Sequence, residues 1–86
     1  MNFIHARKKL NKGDVVELTC EATCNFMLTD DGNFSSYKKG DIFGYYGGHF
    51  ESFPARITAP HSGDWNIIID TPNGEPVSSW DMKIIN

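Results

Sequence analysis

The chain has 86 residues, of which 40% are hydrophobic and 13% aromatic, and its formal net charge at pH 7 is −3. This length predicts a single domain spanning residues 1–86, and the apolar content is sufficient for a core and argues against disorder. An isoelectric point near 5.4 argues against a nucleic-acid partner, because phosphate binding requires a basic surface.

The sequence also lacks the signals of membrane insertion or secretion. No apolar run approaches the roughly 18 residues expected of a transmembrane helix. The first residues contain no apolar h-region, and the charges of Arg7, Lys8 and Lys9 follow the short apolar stretch instead of preceding it. Cys20 and Cys24 are too few for a disulfide scaffold. We therefore expect no membrane partner and a cytoplasmic location.

Alternation of apolar and polar residues predicts a series of short strands. In chain order they are residues 15–20, 24–29, 42–46, 55–59 and 65–69, and a last strand that carries Trp80, Met82 and Ile84. Turn-forming residues separate them at positions 12–14, 30–33, 38–41, 47–48 and 71–76. Only residues 2–9 and 33–38 could hold a helical turn, since few apolar residues recur at helical spacing.

Six to eight short strands with frequent turns predict the all-β class. The architecture that fits is a single small β-sandwich, jelly-roll-like, or a partly open barrel. Trp65, Ile67 and Ile69 are expected to face Trp80, Met82 and Ile84 in its core.

The cysteines and acidic turn residues offer metal-site hypotheses that the sequence does not favour. Cys20 and Cys24, with His5, His49 or His61, could supply zinc ligands, but no second clustered cysteine pair follows. We predict that both thiols are buried, reduced and free of metal, and that no cofactor is bound. The run from Asp30 to Asn33 lacks the further acids of a calcium loop, and turn chemistry explains it.

The segment from residue 43 to residue 53 is the strongest candidate for a binding site. It contains five aromatic residues, three glycines and His49, which exceeds what one strand face can bury. Aromatic faces beside a polar side chain are typical of sites that stack sugar rings, bases or peptide side chains. We predict that the ligand-binding residues are Tyr45, Tyr46, His49 and Phe50, on or beside a turn at Gly47-Gly48. The alternative is that these aromatic rings only cover the two sheets.

A set of short blocks in a fixed order carries a resemblance to a known family. The blocks are Gly13-Asp14-Val15-Val16, Cys24-Asn25 to Leu28, Asp30-Asp31, Asn33-Phe34, Tyr37 to Gly40, Tyr46-Gly47-Gly48-His49, Pro54, Pro60, Gly63, Trp65-Asn66 and Ile69-Asp70. Together they resemble the bacterial domain of unknown function 1883 family over nearly the whole chain to about Asp70. The resemblance implies a small β-rich domain, alone or fused to TIR-type signalling domains, and hence a sensing or interaction module. It implies no catalytic residues.

Three function hypotheses follow. The first is a non-enzymatic interaction or sensing module that binds a protein partner, or a second copy of the chain through a sheet edge. The second is a binding domain for a small carbohydrate or nucleotide-like ligand. The third, a small hydrolase, is disfavoured because no nucleophile, base and orienting residue can be recognised together. A concave groove lined by Tyr45, Tyr46 and His49 would favour the second hypothesis, whereas a flat apolar patch would favour the first.

Overall fold

The computed structural model describes residues 2–77 and 79–86, and these residues form seven strands and one helix. In chain order the elements are β1 (Phe3–Leu10), β2 (Val15–Cys20), β3 (Cys24–Thr29), α1 (Asp31–Lys39), β4 (Tyr46–Phe50), β5 (Ala55–Thr58), β6 (Gly63–Asp70) and β7 (Trp80–Ile85). Sheet A has the strand order β1-β6-β3-β4, and sheet B has the order β5-β2-β7. All pairings are antiparallel. The predicted β-sandwich is confirmed, and it does not close into a barrel.

The main core lies between the two sheets. Every second residue of a strand points to the same face, so the apolar positions of the two sheets meet there. Val16 and Leu18 of sheet B are fully buried, as are Phe26 and Leu28 of sheet A. The predicted inward residues of β6 complete this core; they are Trp65, Ile67 and Ile69.

The last strand follows the prediction only in part. Met82 and Ile84 pack against the core from β7, opposite Leu18 and Val16 respectively. Trp80 does not join them and is exposed. Its backbone pairs with Cys20 at the end of the ladder, on an edge strand of sheet B. A side chain at the end of an edge strand has neighbours on fewer sides, which explains its exposure.

Helix α1 corrects the prediction of a turn at residues 30–33 and lengthens the helical turn predicted at residues 33–38. The Asp30 carboxylate caps the helix by accepting a hydrogen bond from the Asn33 backbone N–H at 2.8 Å. Gly40 ends the helix in the left-handed conformation, with φ of +79°. The helix buries Phe34 and Tyr37 in a second, smaller apolar cluster on the outer face of sheet A.

The segment of residues 2–9, considered above as a possible helical turn, lies instead in strand β1 from Phe3 onward. This strand pairs with β6 along its whole length, from Phe3 opposite Asp70 to Leu10 opposite Gly63. Long-range pairing with β6 therefore determines the conformation of this segment. Within the residues that the structure describes, no helix has the length and apolar character needed to cross a membrane.

An ion pair joins α1 to strand β1 and gives the fold an acid-sensitive contact. Arg7 donates two hydrogen bonds to Asp31, from Nε at 3.0 Å and from Nη2 at 2.8 Å, and Asn66 donates a third at 2.7 Å. The Arg7 guanidinium, followed by the Asn66 amide, holds the pKa of Asp31 below its ordinary value of 3.8. A carboxylate with a depressed pKa stabilises the fold above its ordinary pKa, and this contribution is lost as the pH falls through the lower value.

We therefore expect Asp31→Asn to have a lower melting temperature than the wild type near neutral pH, with a gap that narrows as the pH falls below 3.8. Thermal unfolding followed by circular dichroism across this range measures the effect. Asp41→Asn, in the exposed segment after α1, controls for the loss of one negative charge. A gap that stays constant down to the lowest pH would contradict the role assigned to this ion pair.

Candidate functional site

Strand β4, which carries most of the predicted site, begins later in the chain than predicted. Residues 42–45 are not a strand, and Ile42 is 100% exposed. The strand starts at Tyr46 and continues through Gly47 and Gly48, so the prediction of a turn at these glycines is wrong. Both glycines have positive φ, +106° and +148° respectively, and they pair with Met27 and Phe26 of β3.

Gly47 allows the two sheets to approach each other at this edge. A Cβ atom placed on Gly47 would lie 2.6 Å from the Ile57 Cδ1 atom of sheet B, and closer still to the carbonyl oxygen of Phe26. A Cβ atom on Gly48 would meet no atom within 4 Å. Gly47 therefore serves close backbone packing within a strand, where the sequence predicted a turn.

The structure divides the four predicted site residues between two faces. His49 pairs with Asn25 and lies on the outer face of sheet A, and Tyr45 lies beside it in the lining of the same cleft. The Tyr46 side chain lies on the opposite face of the sheet, where its ring centroid is 5.9 Å from that of Trp65. Phe50 packs against the main core, 5.8 Å from the ring of Phe26. Phe50 is therefore partly buried against the main core, and the ligand-binding role of all four residues stays a prediction.

The outer cleft, as we name it, is a concavity of about 320 Å³ on the outer face of sheet A. Its lining comes from strands β3, β4 and β6, from α1 and from the segment that joins α1 to β4. The lining residues are Asn25, Met27, Tyr37, Phe43, Tyr45, Gly48, His49 and Asp70. Its volume lies at the lower end of the range of about 300 to 1,000 Å³ typical of small-molecule sites.

Three polar residues of the outer cleft lie in one row across the sheet. The strand register places Asn25 opposite His49 on one side and opposite Asp70 on the other. Asn25 donates from Nδ2 to the Asp70 Oδ1 atom at 2.7 Å, and its own Oδ1 atom is 3.2 Å from His49 Nδ1. Because Asn25 Oδ1 can only accept, a hydrogen bond at this contact requires His49 Nδ1 to be the donor.

Tyr37 fixes the far end of this row. Its hydroxyl donates to the Asp70 Oδ2 atom at 2.5 Å, and Asp70 is only 8% exposed. Burial, reinforced by the Asp70 carboxylate, raises the pKa of Tyr37, so its hydroxyl keeps its proton and remains a donor. The row from Tyr37 through Asp70 and Asn25 to His49 is thus a continuous hydrogen-bond chain that converges on Asp70, which accepts from Tyr37 on one side and from Asn25 on the other.

This chain leaves hydrogen-bonding capacity at the cleft. Each carboxylate oxygen of Asp70 accepts from one side chain and has a second lone pair. His49 Nε2 lies 3.6 Å from the Glu51 carboxylate, which is itself mostly exposed. The cleft therefore presents acceptors and one histidine nitrogen next to an aromatic wall.

The aromatic wall is held by ring contacts from the helix. Tyr37 contacts Phe43 edge to face with ring centroids 5.2 Å apart, and Phe43 contacts Tyr45 at 5.0 Å. Phe43 is partly buried, whereas Tyr45 is 48% exposed. Tyr45 therefore presents a supported ring face to solvent.

The prediction that both cysteines are buried is confirmed. Cys20 and Cys24 form no disulfide, and they lie at the end of β2 and at the start of β3, on the core side of the sheets. Burial, followed by the neighbouring Cys20, raises the pKa of Cys24 to about 12, which makes this thiol a poor nucleophile at neutral pH. Among residues 2–77 and 79–86, no group of three or more His, Cys, Asp or Glu side chains is arranged to hold a metal ion.

Sequence reasoning missed Asn25, Tyr37 and Asp70 as site residues. Asn25 lies 24 positions from His49 and 45 positions from Asp70 in the sequence, so no local pattern joins these partners. One signal could have found them: all three, like His49, fall within the blocks that carry the family resemblance.

Comparison with known proteins gives a family and no function. No curated protein matches the chain, and no solved structure matches it. The family model described as domain of unknown function (DUF1883) matches residues 1–86, which is the whole sequence. The chain therefore belongs to the DUF1883 family.

Proposed function

We propose that this domain is a non-enzymatic binding module that takes a small, neutral, hydroxyl-rich ligand, such as a sugar residue, in the outer cleft. The observation that carries the proposal is the meeting of the exposed Tyr45 ring with the hydrogen-bond chain of Asp70, Asn25 and His49 in one concavity. Apolar ring faces with a few oriented polar groups are the general features of small-molecule sites.

Charge favours a neutral ligand over a nucleotide-like one. The buried Asp70 carboxylate lines the cleft and the Glu51 carboxylate lies beside His49, so a phosphate would meet negative charge. The Asp70 carboxylate instead suits ligand hydroxyl groups, which can donate to its oxygen atoms. A sugar ring offers several hydroxyl groups on one edge and an apolar C–H face for Tyr45.

The nucleophiles near the cleft argue for binding without catalysis. The Tyr37 hydroxyl is buried, bonded to Asp70, and has a raised pKa. The thiols of Cys20 and Cys24 lie in the main core, on the other face of sheet A. Neither group combines nucleophilicity with access to a ligand in the outer cleft.

We expect Tyr45→Ala and His49→Ala each to weaken ligand binding by about tenfold or more, because an aromatic stacking contact contributes about 1 to 3 kcal/mol. Neither variant should shift the melting temperature by more than a few degrees, since both side chains are exposed. Saturation-transfer NMR against a panel of neutral monosaccharides, followed by titration of the best binder, measures the effect.

Ile42→Ala is the matched control for this experiment. Ile42 is wholly exposed in the same connecting segment but does not line the outer cleft. It should bind the sugar as the wild type does. If no monosaccharide or oligosaccharide binds, or if Ile42→Ala is as damaging as Tyr45→Ala, the proposal fails.

A second candidate function is a protein interaction at the same edge of the molecule. Ile42 is fully exposed, Tyr46 is 50% exposed, and β4 is an edge strand of sheet A. An exposed edge with apolar side chains favours strand addition by a partner or by a second copy of the chain. In that case Ile42→Ala and Tyr46→Ala would reduce capture of a protein partner or self-association measured by analytical ultracentrifugation, while His49→Ala would not.

A further inference from the structure

A second concavity, the helix-end cleft, adjoins the outer cleft at the start of α1. Its volume is about 350 Å³, close to that of the outer cleft. The lining residues are Thr29, Asp30, Asn33, Gly44, Tyr45, Tyr46, His61 and Trp65. Tyr45 and Tyr46 were predicted as site residues, but the cleft itself could not be predicted because its walls come from three separate segments, residues 29–33, 44–46 and 61–65.

The helix-end cleft repeats the chemical division of the outer cleft. One side is aromatic: the exposed rings of Tyr46 and His61 pack on the buried Trp65, with ring-centroid distances of 5.9 Å and 4.8 Å respectively. The other side is polar and includes the Asp30 carboxylate, whose Oδ1 atom accepts from Asn33. Both clefts therefore offer rings on one side and a carboxylate on the other.

Tyr45 belongs to the lining of both clefts, and its position is fixed by the segment around it. The backbone N–H of Gly44 donates to the Asn33 Oδ1 atom at 2.8 Å. The Thr29 hydroxyl donates to the Gly44 carbonyl oxygen at 2.5 Å. These two bonds and the packing of Phe43 on Tyr37 attach the segment that contains Tyr45 both to β3 and to α1. A segment that is already fixed does not have to be ordered when a ligand binds, which reduces the entropic cost of binding.

We infer that the ligand is a linear oligosaccharide whose successive rings occupy the outer cleft and the helix-end cleft and cross Tyr45 between them. This inference rests on the proposed function of the outer cleft. Two adjoining concavities of similar volume and similar chemistry suit a ligand whose units repeat. Joining two units makes the second contact intramolecular, so a longer ligand gains affinity without any new kind of contact.

The test is a chain-length series on the wild-type protein. Homo-oligomers of glucose and of N-acetylglucosamine, from monomer to hexamer, are titrated by isothermal calorimetry. We expect the best oligomer to bind at least about tenfold more tightly than its own monomer, with the gain appearing between monomer and tetramer.

Two histidine variants separate the contributions of the clefts. His61 is exposed, and its Trp65 contact through the backbone carbonyl survives truncation, so His61→Ala should fold normally. His61→Ala should reduce oligomer binding toward the monomer level and leave monomer binding unchanged. His49→Ala should weaken both.

The outcomes distinguish this inference from the proposal on which it rests. Equal affinity for monomer and oligomer, or an oligomer affinity unaffected by His61→Ala, would overturn the two-cleft inference and leave the outer cleft as a single-ring site. Weakening of monomer and oligomer alike by His61→Ala would also overturn it. Absence of binding to every saccharide would remove the proposed function itself.

Discussion

Trp65→Ala is expected to lower the free energy of unfolding by about 3 to 5 kcal/mol, the usual cost of truncating a buried tryptophan. Trp65 is only 2% exposed, and it lies in the main core at the start of β6. Its indole Nε1–H also donates to the His61 carbonyl oxygen at 3.1 Å, and truncation leaves that acceptor without its partner. Domains are typically stable by about 5 to 15 kcal/mol, so the loss is a large fraction of the total.

Urea unfolding followed by circular dichroism measures this loss, since the signal does not depend on either tryptophan. Trp80→Ala is the matched control, because Trp80 is 39% exposed and does not belong to the main core. Trp80→Ala should lower the free energy of unfolding by less than half as much as Trp65→Ala does. A Trp65→Ala protein with the wild-type midpoint would show that the position assigned to β6 is wrong.

Gly47→Ala is expected to be the second most damaging single substitution. A residue other than glycine held at positive φ costs about 1 to 3 kcal/mol in backbone strain. At Gly47 the added Cβ atom also meets the Phe26 carbonyl oxygen and the Ile57 side chain, and overpacking of this kind costs a further 1 to 3 kcal/mol or so. The obstructing atoms include backbone, which cannot move aside without disturbing the β3–β4 pairing.

Gly48→Ala provides the comparison that isolates the steric part of this effect. Gly48 also has positive φ, but its Cβ atom would have no neighbour within 4 Å. We expect Gly48→Ala to show only the cost of strain, and Gly47→Ala to unfold at a clearly lower urea concentration. If the two variants unfold at the same concentration, the close approach of sheets A and B at Gly47 does not occur in solution.

The candidate site illustrates how far local sequence patterns extend. The sequence correctly marked Tyr45 and His49 as side chains that the core does not need, because the segment holds more aromatic residues than one face can bury. The sequence could not distinguish these two residues from Phe50, which packs against the main core, because the distinction depends on the residue at which β4 begins. The polar partners Asn25 and Asp70 were invisible because only the strand register places them in line with His49.

Elements with local signals were predictable from the amino-acid sequence alone. Period-two alternation identified β2, β3, β5 and β6, and the inward residues of β6 followed from it. The turns at Gly13 and at Gly74 were also predicted, because glycine and its turn-forming neighbours favour turns, and both glycines have positive φ in the structure.

Elements that depend on distant partners became evident only in the folded chain. Strand β1 forms because β6 offers an edge for eight consecutive pairs, although its own residues carry no clear alternation. Helix α1 forms over a polar, glycine-containing run because Phe34 and Tyr37 cover Met27 and Ile68 on sheet A. In both cases the stabilising contacts lie far away in the sequence, so weak local propensity was overridden by burial and pairing that no short window contains.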